Sequence, residues 1–113
     1  MTLQAPALRP DIAALEERAE EAAALLGAMA NAKRLLVLCH LVDGERSVGD
    51  LAEIAGISQS ALSQHLGKMR LQGLVATRRE AQTIYYSLAS RDVRVLIETL
   101  YGLFCGPGIT PTT

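Results

Sequence analysis

The chain lacks the features that mark several large classes of protein. It has two cysteines in 113 residues, Cys39 and Cys105, which are too few and too far apart to indicate a secreted disulfide scaffold or a CxxC redox motif. No apolar run reaches the roughly 20 residues of a membrane span, and two prolines followed by acids replace a cleavable leader near Met1. We therefore expect a soluble cytoplasmic protein with no membrane partner.

The charge of the chain has no excess of either sign. Eleven basic and 12 acidic residues give a formal net charge of -1, which argues weakly against a non-specific nucleic-acid coat. No nucleophile with an orienting partner can be assembled, so we expect neither an enzyme nor a cofactor. With 50% hydrophobic residues, the sequence predicts one small domain over residues 11–105, between a flexible N-terminal arm at 1–10 and a flexible tail at 106–113.

The most informative pattern lies between residues 51 and 70. A short apolar stripe at 51–55 is ended by Gly56, and Ser58 is placed to cap the next helix. Leucine and methionine then recur at i, i+4 and i+7 over 62–69, which predicts a second helix with one buried face. This arrangement is typical of a helix-turn-helix, whose second helix enters the major groove of DNA. The predicted contacts from this helix and its cap are Ser58, Gln59, Ser60, Ser63, Gln64, His65 and Lys68. For His65, packing against the protein is an equally good interpretation.

Residues 73–88 follow at once and predict a β-hairpin turning near Glu80, Ala81 and Gln82, because two runs of strand-forming residues flank that point. Such a hairpin would be a wing beside the helix-turn-helix. Arg78 and Arg79 near its tip are predicted to reach phosphates or a minor groove. From residue 58 to 79 the sequence contains four basic residues and no acid, so the expected DNA-binding surface is locally basic.

The other segments predict helices. One is expected to run from an Asp11 cap to residue 29, and a second, apolar on nearly every side and therefore buried, from near Asn31 through Leu41. A last helix, capped by Ser90, is expected to carry residues 90–105. The predicted fold is mainly α, a winged helix-turn-helix of four helices, a hairpin and a fifth helix. The helices at 11–29 and 90–105 have surplus apolar surface and are the expected homodimer interface.

Several blocks resemble the ArsR-type winged-helix repressors over roughly residues 25–105. They are Asp-Gly-Glu-Arg-Ser-Val-Gly-Asp-Leu-Ala at 43–52, Ser-Gln-Ser-Ala-Leu-Ser-Gln-His-Leu at 58–66, Gly-Leu-Val at 73–75, Arg-Arg-Glu at 78–80 and Tyr-Tyr at 85–86. The resemblance implies a homodimer that binds an imperfect palindromic operator on double-stranded DNA and leaves it when an inducer binds. Ala81 departs from the glycine that the family often has in the wing turn.

The metal sites of that family are missing from the sequence. Its metal sensors commonly place Cys-x-Cys in the third helix, where this chain has Ser47, Val48 and Gly49. Another family site uses Asp and His on the last helix, but no histidine follows His65, and Asp92 has no partner. We therefore expect no metal ligands.

Cys39 and Cys105 resemble the dithiol of the sulfide- and persulfide-responsive branch of the family, the BigR- or SqrR-like repressors. In that branch the thiols are reduced during repression and are joined by a disulfide or polysulfide when reactive sulfur species, the inducer, accumulate. Three alternatives stay open from the residues. Each cysteine could be a small buried hydrophobe, the thiols could bind a metal or arsenite with His40 or a partner chain, or the fold could be a protein-binding module without a sensor.

Overall fold

The computed structural model describes residues 11–106 of the chain. These residues belong to two compact units, Met1–Ala30 and Asn31–Thr113, and each unit is described separately below. The expected arm at 1–10 lies outside the described residues, and so does the expected tail apart from Gly106.

The first unit contains two helices, α1 (Ile12–Glu17) and α2 (Ala19–Met29). Asp11 caps α1 as expected, because its side chain accepts a hydrogen bond from the backbone N–H of Ala14 at 3.2 Å. The prediction of one continuous helix over 11–29 is wrong at Arg18. There the backbone leaves the helical region (φ -116°, ψ 19°), and the Arg18 N–H bonds the carbonyl of Leu15 in the tighter i to i+3 pattern.

The second unit has the predicted order of helices and hairpin. Its elements are α3 (Ala32–Leu41), β1 (Arg46–Ser47), α4 (Val48–Ala55), α5 (Gln59–Leu71), β2 (Val75–Glu80), β3 (Thr83–Leu88) and α6 (Arg91–Phe104). The caps Asn31, Ser58 and Ser90 each accept a backbone N–H, and Gly56 ends α4 in the left-handed region at φ 72°. The fold is therefore a winged helix-turn-helix in which α4 and α5 form the helix pair and β2 and β3 form the wing.

The wing sheet has one strand that the sequence did not predict. The strand order is β1-β3-β2, with all pairs antiparallel, and β1 pairs Arg46 with Tyr86 and Ser47 with Tyr85. A strand of two residues is too short to show an alternating pattern, so only its partner in space defines it. In the hairpin itself Arg78 lies opposite Tyr85, and Glu80 lies opposite Thr83.

The core of the second unit is built from aliphatic side chains of every helix and of β2. The largest fully buried side chains are Val37, Leu38, Leu41, Leu51, Leu62, Leu66, Met69, Val75 and Val93. Leu74, which precedes β2, is 2% exposed. Helix α3 buries only one side here, because Leu36 and Cys39 are exposed. The expectation that α3 is buried on nearly every side is therefore wrong.

Within residues 11–106, no single helix is long and apolar enough to cross a membrane. Taken together, the consecutive helices α2 and α3 have the length and apolar composition of a membrane span, as do core helices of soluble proteins.

The wing turns at Ala81 and Gln82, as predicted, and Ala81 takes a φ of 57°. A residue with a Cβ atom is disfavoured in this left-handed region by roughly 1–2 kcal/mol, whereas glycine is not. Glycine, which the ArsR-type repressors that this sequence resembles often have here, would remove this strain.

Replacing Ala81 by glycine should raise the free energy of unfolding by about 0.5 kcal/mol, because the relief of strain exceeds the extra entropy of an unfolded glycine. Ala81→Val should lower it by about 1 kcal/mol or more, since a β-branched residue fits this region worst. Urea unfolding measures both changes. The control is Ala76→Gly on the exposed face of β2, which should lower the free energy of unfolding. Equal decreases of that free energy for Ala76→Gly and Ala81→Gly would contradict the strain at Ala81.

Candidate nucleic-acid interface and thiol cavity

Helix α5 presents a polar face to solvent because its apolar residues are used on the other side. Leu62, Leu66 and Met69 have 0% exposure. The Ser58 side chain holds the first turn by accepting the N–H of Ala61 at 3.1 Å. The predicted contact residues Ser58, Gln59, Ser60, Ser63, Gln64 and Lys68 are all exposed on α5 or its cap. The structure therefore leaves hydrogen-bonding and basic groups of this helix accessible to a ligand.

His65 differs from its neighbours on α5 because it contacts another helix. It is half-buried, and its Nδ1 atom accepts a hydrogen bond from Nε of Arg34 at 3.0 Å. Burial, together with the positive charges of Arg34 and Lys68, lowers the pKa of His65. This residue therefore acts here as a neutral acceptor that joins the first turn of α3 to the middle of α5.

A second contact joins α3 to the helix-turn-helix. The ammonium group of Lys33 donates to the backbone carbonyl of Ala55 at 2.7 Å, at the end of α4. A cation at a helix C-terminus satisfies a free carbonyl and is favoured by the helix dipole. Sequence reasoning missed both Lys33 and Arg34, because nothing along the chain shows which distant atoms a surface cation will reach.

Arg78 in the wing is surrounded by acceptors. Its Nε and Nη2 atoms bond the two carboxylate oxygens of Glu45, each at 2.9 Å, and its Nη1 bonds Glu80 at 2.8 Å. The guanidinium carbon also lies 4.8 Å from the centre of the Tyr85 ring. These hydrogen bonds raise the pKa of Arg78 and lower the pKa of Glu45.

The surface of the wing is therefore less basic than the sequence predicts. The stretch from 58 to 79 has no acid of its own, but the fold brings Glu45 and the following Glu80 onto Arg78. Arg79 extends from the opposite face of β2, and within residues 11–106 it has no carboxylate at ion-pair distance. Of the two predicted wing arginines, Arg79 thus keeps its charge uncompensated.

Cys39 and Cys105 line one cavity of about 630 Å³ between α3 and α6. Cys39 belongs to the last turn of α3, and Cys105 is the C-cap of α6. Both thiols are free. The cavity is lined by Leu35, Cys39, Val42, Asp43, Ile97, Glu98, Leu100, Tyr101, Phe104 and Cys105. Two thiols that are 66 positions apart in sequence are thus brought to the same apolar space.

The surroundings of Cys39 differ from the sequence-based expectation. The residue is exposed, so the interpretation of Cys39 as a buried hydrophobe is wrong, whereas Cys105 is half-buried. Partial burial nevertheless raises the pKa of the Cys39 thiol. A thiol in this state is accessible but is mostly protonated at neutral pH.

The end of α3 beside Cys39 is fixed by two arginines. Arg94 of α6 donates to the carbonyl of Val42 at 3.1 Å, and Arg46 of β1 donates to the carbonyl of His40 at 3.3 Å. These bonds satisfy carbonyls that a helix end leaves free. They connect α3 to α6 and to the wing sheet next to the thiol cavity.

Among residues 11–106, no group of three or more His, Cys, Asp or Glu side chains is placed to hold a metal ion. Asp43 and Glu98 lie in the thiol cavity, but the described chain adds no imidazole to them.

Residues 31–77 match the model of the bacterial regulatory protein arsR family. The transcriptional activator HlyU of Vibrio cholerae is 52% identical over 91 residues, which are 80% of this chain and 84% of that protein. The structure of reduced HlyU covers 80% of this chain and 96% of its own, with a TM-score of 0.76.

Two further solved structures share the fold. The transcriptional repressor BigR from Xylella fastidiosa has a TM-score of 0.81 and 42% identity, covering 85% of this chain and 98% of its own. A homodimeric winged helix-turn-helix DNA-binding domain from Mycobacterium bovis has a TM-score of 0.67 and 33% identity, covering 87% and 89%.

The contact between Arg34 and His65 predicts a dependence of stability on pH. Because the folded pKa of His65 lies below its ordinary value of 6.5, the unfolded chain binds the proton more tightly. The stabilisation is complete above about pH 6.5 and is lost as the pH falls from there through the folded pKa. Urea unfolding at pH 7.5 and 5.5 should show a larger loss for wild type than for His65→Gln. An equal loss in both proteins would show that His65 does not titrate differently in the folded state.

Proposed function

Because this chain belongs to the ArsR family of bacterial regulatory proteins, we propose that it is a repressor whose hold on operator DNA is switched by Cys39 and Cys105. The family makes it a DNA-binding transcriptional regulator rather than an enzyme. The observation that supports the proposed switch is the cavity that both thiols line. Helix α3 forms one wall of that cavity and also makes a hydrogen bond to α5, so it connects the thiols to that helix.

Helix α5 enters the major groove of the operator, and the wing lies beside it. The exposed Ser60, Ser63 and Gln64 face base edges, since a helix of this type reads bases with polar residues near its N-terminus. Lys68 and the uncompensated Arg79 contact phosphates. Such a protein works where the chromosome is, in the cytoplasm.

The protein acts as a homodimer on an imperfect palindrome. Helix α6 exposes Tyr101, Leu103 and Phe104 at 51%, 72% and 82%, a large apolar area for a small domain. In the first unit, Ile12, Leu15 and Leu26 are exposed at 56%, 52% and 56%. A second copy of the chain covers these faces, consistent with the homodimeric mycobacterial relative.

Two substitutions on α5 separate base reading from phosphate contact. Gln64→Ala should weaken operator binding by about 1–3 kcal/mol and leave binding to an unrelated duplex almost unchanged. Lys68→Ala should weaken both duplexes and reduce the salt slope by about one unit. Titrations of both duplexes at several salt concentrations measure these effects. An equal loss on both duplexes for Gln64→Ala would remove its base-reading role.

The switch is an oxidation of the two thiols by a low-molecular-weight persulfide. The Cys39 or Cys105 thiolate attacks the outer sulfur of the persulfide, takes that sulfur and releases the donor as a thiolate. Attack by the other cysteine on the inner sulfur of the new persulfide forms a disulfide and expels hydrogen sulfide. Two protein thiols then lose two electrons and two protons, which leave with the donor thiol and hydrogen sulfide.

A longer bridge forms by the same chemistry. When both cysteines carry an extra sulfur, attack of one persulfide on the other expels hydrogen sulfide and leaves a trisulfide. Sulfur atoms are polarisable and pack well against apolar side chains, and a cavity of about 630 Å³ has room for them. The cavity therefore supports reactive sulfur, rather than peroxide, as the inducer, because peroxide can close only a direct disulfide, whereas persulfides can also build a longer sulfur chain in this space.

Substitution of each thiol tests the switch. Wild type, Cys39→Ser and Cys105→Ser should bind the operator equally well when reduced. After treatment with a persulfide donor, the Kd of wild type for the operator should rise at least tenfold. The Kd of both variants should stay unchanged, because neither variant can close a bridge. Operator titration, with mass spectrometry of the intact protein to count added sulfurs, measures both properties.

The same titration separates the alternatives for the thiols. Release of either single variant to the extent of wild type would defeat the two-thiol mechanism. Release of wild type by arsenite but not by persulfide would instead make the thiols a site for a soft ion.

A further inference from the structure

Each guanidinium nitrogen of the wing arginine Arg78 makes a hydrogen bond within the protein. Its three guanidinium nitrogens each bond a carboxylate oxygen, two from Glu45 and one from Glu80, and Tyr85 lies against the planar group. One positive charge therefore meets two negative charges, and this part of the wing has a local charge of -1. A free phosphate-binding arginine would have its fork of N–H groups open to solvent.

The sheet explains how Glu45 reaches Arg78. Glu45 precedes β1, β1 pairs with β3, and β3 pairs with β2, so the edge that carries Glu45 and the strand that carries Arg78 are separated by one strand. Arg78 lies opposite Tyr85 on that strand and extends across it. The three-stranded sheet, rather than the hairpin alone, thus holds the arginine.

The Glu45 contact has the geometry of a phosphate contact. Two parallel N–H to oxygen bonds of 2.9 Å join the fork of Arg78 to one carboxylate, the bidentate arrangement that arginine also makes with phosphate. A phosphate and Glu45 require the same two N–H groups, so they cannot both bind Arg78 in this way. The pair is solvent-exposed, with side-chain exposures of 48% and 39%, so exchange is not blocked by burial.

We propose that Glu45 competes within the protein with DNA phosphate for Arg78, so that the wing binds DNA by exchanging this carboxylate for a phosphate. The inference rests on the proposed DNA-binding role of the wing. The competition lowers the affinity for any duplex, including non-operator DNA, and leaves the base contacts of α5 to decide where the protein binds.

A double-mutant cycle on Glu45 and Arg78 tests the competition. Glu45→Gln should tighten binding to the operator and to an unrelated duplex by about two- to fivefold, the range expected for an exposed ion pair. It should also steepen the salt slope by up to about 0.9, since one more phosphate is neutralised without losing an ion pair. In the Arg78→Gln background, Glu45→Gln should change neither quantity. Glu53→Gln, at an exposed acid of α4, is the control for the general effect of removing a negative charge.

Each other outcome overturns the proposal. The same tightening in both backgrounds would show that Glu45 acts only through its charge, as Glu53 would. Weaker binding by Glu45→Gln would show that Glu45 positions Arg78 for DNA instead of competing for it. Circular dichroism and urea unfolding of each variant establish that the wing is folded. A wild-type protein that binds no duplex would remove the proposed function itself, and an operator-specific wild type with an inert Glu45→Gln would remove only the competition.

Discussion

The anchoring of α3 at both ends is the constraint on which the rest of the second unit depends. At its start, Lys33 bonds the carbonyl of Ala55 and Arg34 bonds His65. At its end, Arg94 bonds the carbonyl of Val42. Ten residues of helix span about 15 Å, so α3 is a rigid connection between the thiol cavity and α5. A change in how α3 packs against α6 is therefore also a change in the support of α5.

The role of each charged side chain depends on which groups lie near it in the fold. Counted along the chain, Lys68, Arg70, Arg78 and Arg79 form one basic group. In the fold, Arg78 is compensated by Glu45 and Glu80, while Arg79 keeps its charge. Lys68 has a third role, because its charge helps to keep His65 neutral. The uncompensated positive charge of this surface thus comes from fewer residues than the sequence indicates, because Glu45 and Glu80 pair with Arg78.

Features with local causes could be predicted from the sequence, and features with distant causes could not. A serine cap, the left-handed Gly56 and the i, i+4, i+7 leucines of α5 each act within a few residues, so their pattern is visible along the chain. The break at Arg18 has no glycine or proline to mark it. The strand β1 and the Glu45 contact depend on atoms that the chain brings together from tens of residues away. Resemblance to a family implies that Cys39 and Cys105 act as a dithiol, but neither the cavity that they share nor the exposure of Cys39 follows from it.

In the proposed switch, the positions of the two thiols would allow a bridge to release DNA without unfolding the protein. A bond between Cys39 and Cys105 closes a loop of more than half the chain, which in the entropy model stabilises the fold by about 4 kcal/mol if the bridge is unstrained. The effect on DNA must then arise from geometry rather than from loss of stability.

The bridge would join the last turn of α3 to the end of α6, whereas Arg94 joins α6 to Val42 closer to the start of α6. Two connections at different points along α6 would fix the angle between the helices, and α3 would carry that angle to α5 through Arg34 and His65. In the proposed homodimer built on α6, the same angle would set the spacing of the two copies of α5, which operator DNA requires to be about one helical turn.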